Sequence, residues 1–216
     1  KWVFRSEMHP EVMERGKTYW YKSAHPGIYG LATGVFLNGE SQAFVGSACT
    51  LEILGKDGNL LKRLPQFWGP PTVFAIIDGP GGGRNLLAAR SPNDHHCVGI
   101  INDKTLDPTI RGFDSLLPGH SNIRTFGGLD RSHLFCDDFN NDGVQEVLSE
   151  VNGYWNRIQL WDSEGMTLFE ASFGPGESAP QKNIRDLDIA DFHGDGTKES
   201  IGATSRGFVV ALDNQF

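Results

Sequence analysis

Long apolar runs are missing from this sequence. Nothing in its 216 residues approaches the roughly 20 consecutive apolar residues that a membrane-spanning helix needs. Extended 3.6-residue periodicity is missing as well, and the one helix-compatible stretch, near Pro10 to Lys17, is short. Cysteine is scarce. Cys49, Cys97 and Cys136 are an odd number, which excludes a complete disulfide framework, and no two of them have metal-ligand spacing. Cys49 and Cys136 stand in apolar runs and read as core residues, although one bridge could still form in an oxidising compartment. Positive charge is in deficit: 19 Lys and Arg against 27 Asp and Glu give a net charge of -8. That balance argues against a nucleic-acid partner and against an anionic membrane surface. No Gly-x-Ser-x-Gly elbow and no zinc-protease motif is present. The run Gly79-Pro80-Gly81-Gly82-Gly83-Arg84 lacks the Gly-Lys-[Ser/Thr] ending and the following helix of a phosphate loop. The opening Lys1-Trp2-Val3-Phe4-Arg5 does not read as a signal peptide, so the chain is expected to be processed or a piece of something longer.

What is present is glycine, proline and short hydrophobic runs. There are 27 glycines and 11 prolines. Between them lie Ala43 to Val45, Leu51 to Leu54, Val73 to Ile77, Leu86 to Ala89, Val98 to Ile101, Val147 to Val151, Ile158 to Trp161 and Phe208 to Leu212. Bounded runs of this length read as strands, so the chain is expected to be all-β.

The runs repeat. Phe135 to Ser149 aligns with Asp188 to Gly202 at an offset of 53 residues, placing Asp138 on Asp191, Asp142 on Asp195, Gly143 on Gly196 and Glu146 on Glu199. Two earlier segments, around Gly34 to Leu54 and Ala75 to Ile101, follow the same plan with fewer acids in the loop. The reading is a single β-propeller domain over 1–216, with four four-stranded blades at about 27–71, 72–124, 125–181 and 182–216. The last unit lacks a fourth strand. Either the N-terminal strand within residues 1–5, Trp2-Val3-Phe4, supplies it beside Val209 to Leu212, or the chain belongs to a larger propeller.

The loop Asp138-x-Asn140-x-Asp142-Gly143-x-x-Glu146 sets oxygen ligands at alternate positions. Its glycine permits a sharp turn. Val144 can offer a carbonyl, and Glu146 closes the loop. Ca²⁺ takes roughly 6 to 8 hard oxygen ligands, and a loop this acidic repels itself without a cation. Mg²⁺ suits such a crowded cage less well. An EF-hand loop closes at position 12 between helices; here the closing acid is at position 9 between strands. The second copy is Asp191-x-His193-x-Asp195-Gly196-x-x-Glu199, with Thr197 as the carbonyl position. His193 is a poor calcium ligand, so this loop binds more weakly, uses a water, or stays empty. A solvated acidic turn is the plain alternative for both.

At these residues, Phe135 to Ser149 and Ile189 to Gly202, the chain resembles the FG-GAP or VCBS-type repeat of integrin-alpha and secreted bacterial β-propellers. The resemblance is specific over about 125–216. It implies Ca²⁺ held by Asp138, Asn140, Asp142, Val144 and Glu146, and in the second loop by Asp191, Asp195, Thr197 and Glu199. His193 departs from the family pattern. Seven blades are usual in that family.

The expected function is a calcium-stabilised, non-catalytic recognition or adhesion module, extracellular or periplasmic, that binds a protein or carbohydrate ligand. Further blades from a longer chain or another copy are possible partners. The alternative is a carbohydrate-active enzyme, a polysaccharide lyase, with His95, His120, Arg124 and Tyr154 on the propeller face as base, acid and charge neutraliser. Loop aromatics such as Tyr19, Trp20, Tyr21, Trp68 and Trp155 suit sugar stacking or blade packing.

Overall fold

The structure, a computed structural model, describes residues 1–16, 27–66, 71–79, 81–89, 98–106, 108–111, 133–151, 157–163, 165–172 and 184–212. The chain is all-β, with four antiparallel sheets. Each sheet is a meander in which strands adjacent in sequence are adjacent in space. The first sheet contains β1 (Gly30–Val35), β2 (Ser41–Ser47), β3 (Thr50–Leu54) and β4 (Leu60–Pro65). The second contains β5 (Val73–Gly79), β6 (Gly83–Ala89), β7 (Val98–Asn102) and β8 (Pro108–Arg111). The third contains β9 (Phe135–Asp137), β10 (Glu146–Val151), β11 (Arg157–Trp161) and β12 (Thr167–Ser172). The fourth has three strands: β13 (Ile184–Ala190), β14 (Glu199–Thr204) and β15 (Val209–Leu212). One helix, α1 (Pro10–Gly16), precedes them. The chain divides into two compact units, Lys1–Ser91 with Cys97–Ile110, and Pro92–His96 with Arg111–Phe216.

In the first unit the core lies between the first two sheets. Phe36, Phe44, Leu51 and Ile53 meet Phe74, Leu86, Ala88 and Ile101. Phe36 and Phe44 pack edge to face at 6.0 Å. The sheets approach closely because glycines line the contact. A Cβ on Gly46 would sit 1.9 Å from the Pro71 carbonyl oxygen, and one on Gly30 would sit 2.5 Å from that of Thr72. In the second unit Phe139, Leu148, Ile158 and Leu160 pack against Ile184 and Leu187. In each unit the earlier sheet thus buries the face turned to the later one.

The N-terminal segment does not behave as a closing strand. Residues 1–9 form no strand, and Trp2 donates from its indole nitrogen to the Lys56 carbonyl at 3.2 Å, over the β3–β4 turn. The physical reason is Glu52. This fully buried carboxylate on β3 is paired with Arg63 at 2.8 Å and accepts the Ser6 hydroxyl and the Glu7 amide. The His9 amide also donates to Thr50 Oγ1 at 2.9 Å. These bonds fix residues 6–9 along the first sheet, and an unpaired buried Glu52 would be costly. The alternation of a strand is visible in Trp2-Val3-Phe4, but the buried charge decides where the segment lies.

Of the cysteines in the described residues, Cys49 is buried and Cys136 is half-buried. Burial, with the charge of Asp137 beside it, pushes the Cys136 thiol up to about 12, so it stays protonated and unreactive at neutral pH.

Candidate metal centre

The third and fourth sheets each carry an acidic loop between their first two strands. Asp138 to Gln145 joins β9 to β10, and Asp191 to Lys198 joins β13 to β14. Pairing fixes the mouth of each: Glu146 lies opposite Asp137, and Glu199 opposite Ala190.

The two loops share one hydrogen-bond plan. In the first, Asp138 accepts the amides of Asp142 at 3.0 Å and Gly143 at 2.8 Å. In the second, Asp191 accepts those of Asp195 at 3.1 Å and Gly196 at 3.0 Å. Asp142 accepts the Val144 amide at 2.8 Å, and Asp195 accepts the Thr197 amide at 2.9 Å. Glu146 Oε2 accepts the Phe139 amide at 2.9 Å, and Glu199 Oε2 the Phe192 amide at 2.7 Å. The backbone agrees: Gly143 has φ +87° and Gly196 +92°, a left-handed turn that glycine adopts freely.

They differ at the third position. Asn140 donates to Asp142 at 3.0 Å and to Glu146 Oε1 at 3.3 Å. In its place, His193 Nδ1 meets Glu199 Oε1 at 3.0 Å. The electrostatics diverge accordingly. Burial raises the Glu146 carboxyl above its ordinary value, and the charges of Asp142 and Asp138 raise it further, against the amides of Phe139 and Asn140. Glu199 moves the other way, held below its ordinary value first by the hydrogen bond to His193 and then by the Phe192 amide. Asp195 is lowered by its bonds from the Thr197 hydroxyl and amide.

Oxygens of Asp138, Asp142 and Glu146 lie within 4.8 Å of one another. Among the described residues no other three His, Cys, Asp or Glu side chains converge in this way. Three carboxylates with no basic side chain among them fit a hard divalent cation, while Asn140 turns its NH2 group to Asp142 and Glu146 and its Oδ1 to the Asp142 amide. Asp191, Asp195 and Glu199 do not converge to the same degree. Val144 and Thr197 both occupy the turn position from which a carbonyl could be offered. An ion pair between Lys198 and Asp137 ties the second loop to the strand end that begins the first.

The earlier loops show what replaces the acids. In the first sheet Gln42 is buried where the closing glutamate would stand. Its Oε1 accepts the amides of Phe36 and Leu37, each at 3.0 Å, and its Nε2 donates to the Leu37 carbonyl at 3.0 Å. A neutral amide satisfies this turn without a cation, and nothing in the sequence pattern alone marked Gln42 for that role. In the second sheet Arg84 faces Asp78 at 3.9 Å.

His95, His120, Arg124 and Tyr154 lie outside the described residues, as do Tyr19, Trp20, Tyr21, Trp68 and Trp155.

A second charged group was not singled out from the sequence. His133, just before β9, places Nδ1 3.3 Å from Glu150 on β10 and Nε2 3.2 Å from Asp186 on β13, with its ring stacked on Phe135 at 6.2 Å. The hydrogen bond to Glu150 raises the His133 pKa, and the charges of Glu150 and Asp186 add to that, against burial. A histidine with a raised folded-state pKa contributes stability that is complete below its unfolded value and is lost as pH rises through the folded one. The protein is therefore expected to lose stability as the pH rises above the ordinary histidine value of about 6.5. A His133→Gln variant should lack that part of the slope. Urea midpoints measured across this range check it, and equal slopes for the two proteins would count against the link.

No family model matches the sequence, and no curated protein is similar to it. The fold is similar to a chain in the crystal structure of BBS1N in complex with ARL6DN, soaked with lead. The TM-score is 0.61 at 14% identity, over 89% of this chain and 56% of that one. The chain thus spans about half the length of that neighbour. At this identity the likeness shows the fold alone. The neighbour is a β-propeller-type domain, and four successive antiparallel meanders are compatible with that class.

Proposed function

We propose that this chain is a calcium-stabilised recognition module of the β-propeller class, with loops of the FG-GAP or VCBS type. It acts outside the cytoplasm by binding a protein or carbohydrate rather than by catalysis. The observation that carries the proposal is the convergence of Asp138, Asp142 and Glu146 at a turn whose carboxylates have no basic side chain among them. Burial first, and then the charges of Asp142 and Asp138, raise the Glu146 pKa, and a bound cation would favour its charged form. Oxygen-only donors at alternate positions favour Ca²⁺ over softer metals. Calcium at extracellular concentration suits a partly exposed site of this kind. A recognition surface needs a rigid scaffold beneath its loops, and the loop is anchored by the fully buried Phe139 next to Asp138.

The test is thermal unfolding with EGTA and then with added Ca²⁺. A ligand that binds only the folded state at about 100 times its dissociation constant adds about 2.7 kcal/mol per site. For a chain of this size that corresponds to roughly 5–10 °C in Tm. An unchanged melting curve, with no calcium found by elemental analysis of the protein purified in its presence, would overturn the proposal.

A further inference from the structure

The two acidic loops differ at their mouths as well as at their third positions. Glu146 lies directly opposite Asp137 on β9, whereas Glu199 lies opposite Ala190 on β13. Residues paired across antiparallel strands project from the same face, with Cβ atoms about 4.5–5.5 Å apart, and like charges placed so repel. The first loop therefore has a fourth acid at its mouth, next to Asp138 in the chain and across from Glu146. The second loop has an alanine there.

That fourth acid is already engaged. Asp137 Oδ1 accepts the Asp138 amide at 3.0 Å, and its Oδ2 accepts from the Lys198 ammonium. Each oxygen thus has a donor, and Asp137 is not one of the three carboxylates that converge. Lys198 belongs to the second loop, one residue before its closing Glu199. The residue at that place in the first loop is Gln145, which has no charge. The ion pair is half-sheltered, with 38% of the Lys198 side chain and 33% of the Asp137 side chain exposed. Water and salt therefore screen it less than a pair standing in the open. One ammonium of the fourth sheet offsets one carboxylate of the third at the edge of the candidate centre.

We infer that Lys198 sets the cation affinity of the first loop from its place in the second. It is a positioning residue, which holds Asp137 and cancels its charge without being a ligand itself. The inference rests on the cation reading of the first loop given above. Take the ammonium away, and Asp137 adds a full negative charge across from Glu146. A divalent ion seated among Asp138, Asp142 and Glu146 is then drawn in more strongly. The chain thus holds its first loop to a weaker grip than its acids could supply.

The experiment is calorimetric titration of the full chain with calcium chloride, at about 20 mM and about 500 mM sodium chloride. Lys198→Gln gives the second loop the residue that the first has at the same place. It should tighten Ca²⁺ binding about three- to tenfold at the lower salt, and the gain should shrink at the higher, where charges are screened within a few ångströms. Lys198→Arg keeps the charge and should bind as the parent does. In an Asp137→Asn background the gain from Lys198→Gln should fall below about twofold, because no carboxylate is left to release. Lys198→Met serves in place of Lys198→Gln if that variant lacks the parent's circular dichroism spectrum. A parent that binds Ca²⁺ and a Lys198→Gln variant that binds it no more tightly would overturn the inference and leave the cation reading standing. So would an equal gain in the Asp137→Asn background, which is what net charge alone would give. Uptake of Ca²⁺ by none of these proteins would overturn the cation reading and the inference together.

Discussion

Phe139→Ala is expected to lower the stability of the folded chain by about 3–5 kcal/mol, the cost of deleting a fully buried aromatic ring. Phe139 has no exposed surface and packs among Leu148, Ile158, Leu160, Ile184 and Leu187. The ring therefore joins the third sheet to the fourth, and truncation leaves a cavity between two layers that cannot easily collapse. Phe192→Ala should stay within about 0.5 kcal/mol of the parent, since that ring is mostly in water. The two residues are equivalent in the repeat, so the pair isolates packing from propensity and loop chemistry. Urea denaturation followed by tryptophan fluorescence gives both values. A loss below about 1 kcal/mol for Phe139→Ala would mean that the ring is not the anchor described above.

Much of the sheet structure was legible because inner strands advertise themselves. Leu51 to Leu54, Leu86 to Ala89 and Ile158 to Trp161 are buried on both faces and read as short apolar runs, two of them interrupted by a buried polar residue, Glu52 and Gln159. The outer strands were harder to see. β4, Leu60–Pro65, reads Leu-Leu-Lys-Arg-Leu-Pro, with its first three residues exposed and its last three half-buried. β12, Thr167–Ser172, alternates half-buried with exposed residues, so half of its pattern is that of a polar loop. An outer strand has one edge and most of one face in water, which weakens the hydrophobic signal that marks a strand.

The equivalence of the two acidic loops was legible residue by residue, because the repeat aligns Asp138 with Asp191, Asp142 with Asp195 and Glu146 with Glu199, and these pairs accept matching backbone amides. What the repeat could not show was how far each set of carboxylates converges. One substitution, Asn140 against His193, changes the partner of the closing glutamate from an amide to an imidazole. The N-terminal segment was misread for a similar reason. Its strand-like alternation is local, whereas its position is set by a buried carboxylate more than 40 residues away, at Glu52. His133 escaped notice because Glu150 and Asp186 are 17 and 53 positions from it, on two different sheets. A lone histidine carries no sequence signal of such partners.

Asp142→Asn should weaken calcium binding at least about tenfold, or roughly 1.4 kcal/mol, whereas His193→Ala should change it less than about twofold. Asparagine keeps an oxygen for the Val144 amide, which Asp142 accepts at 2.8 Å, so the turn is retained while one of three converging charges is removed. The lost affinity then reports charge and not unfolding of the loop. His193 sits in the other loop, where its contact with Glu199 already satisfies the closing carboxylate. Removing the imidazole frees Glu199 from the group that holds its pKa down, but it does not touch the three carboxylates of the first loop. Calorimetric titration of both variants with Ca²⁺ gives the order. If His193→Ala proves the more damaging, the ion prefers nitrogen, and the metal is a softer one such as Zn²⁺ seated in the second loop.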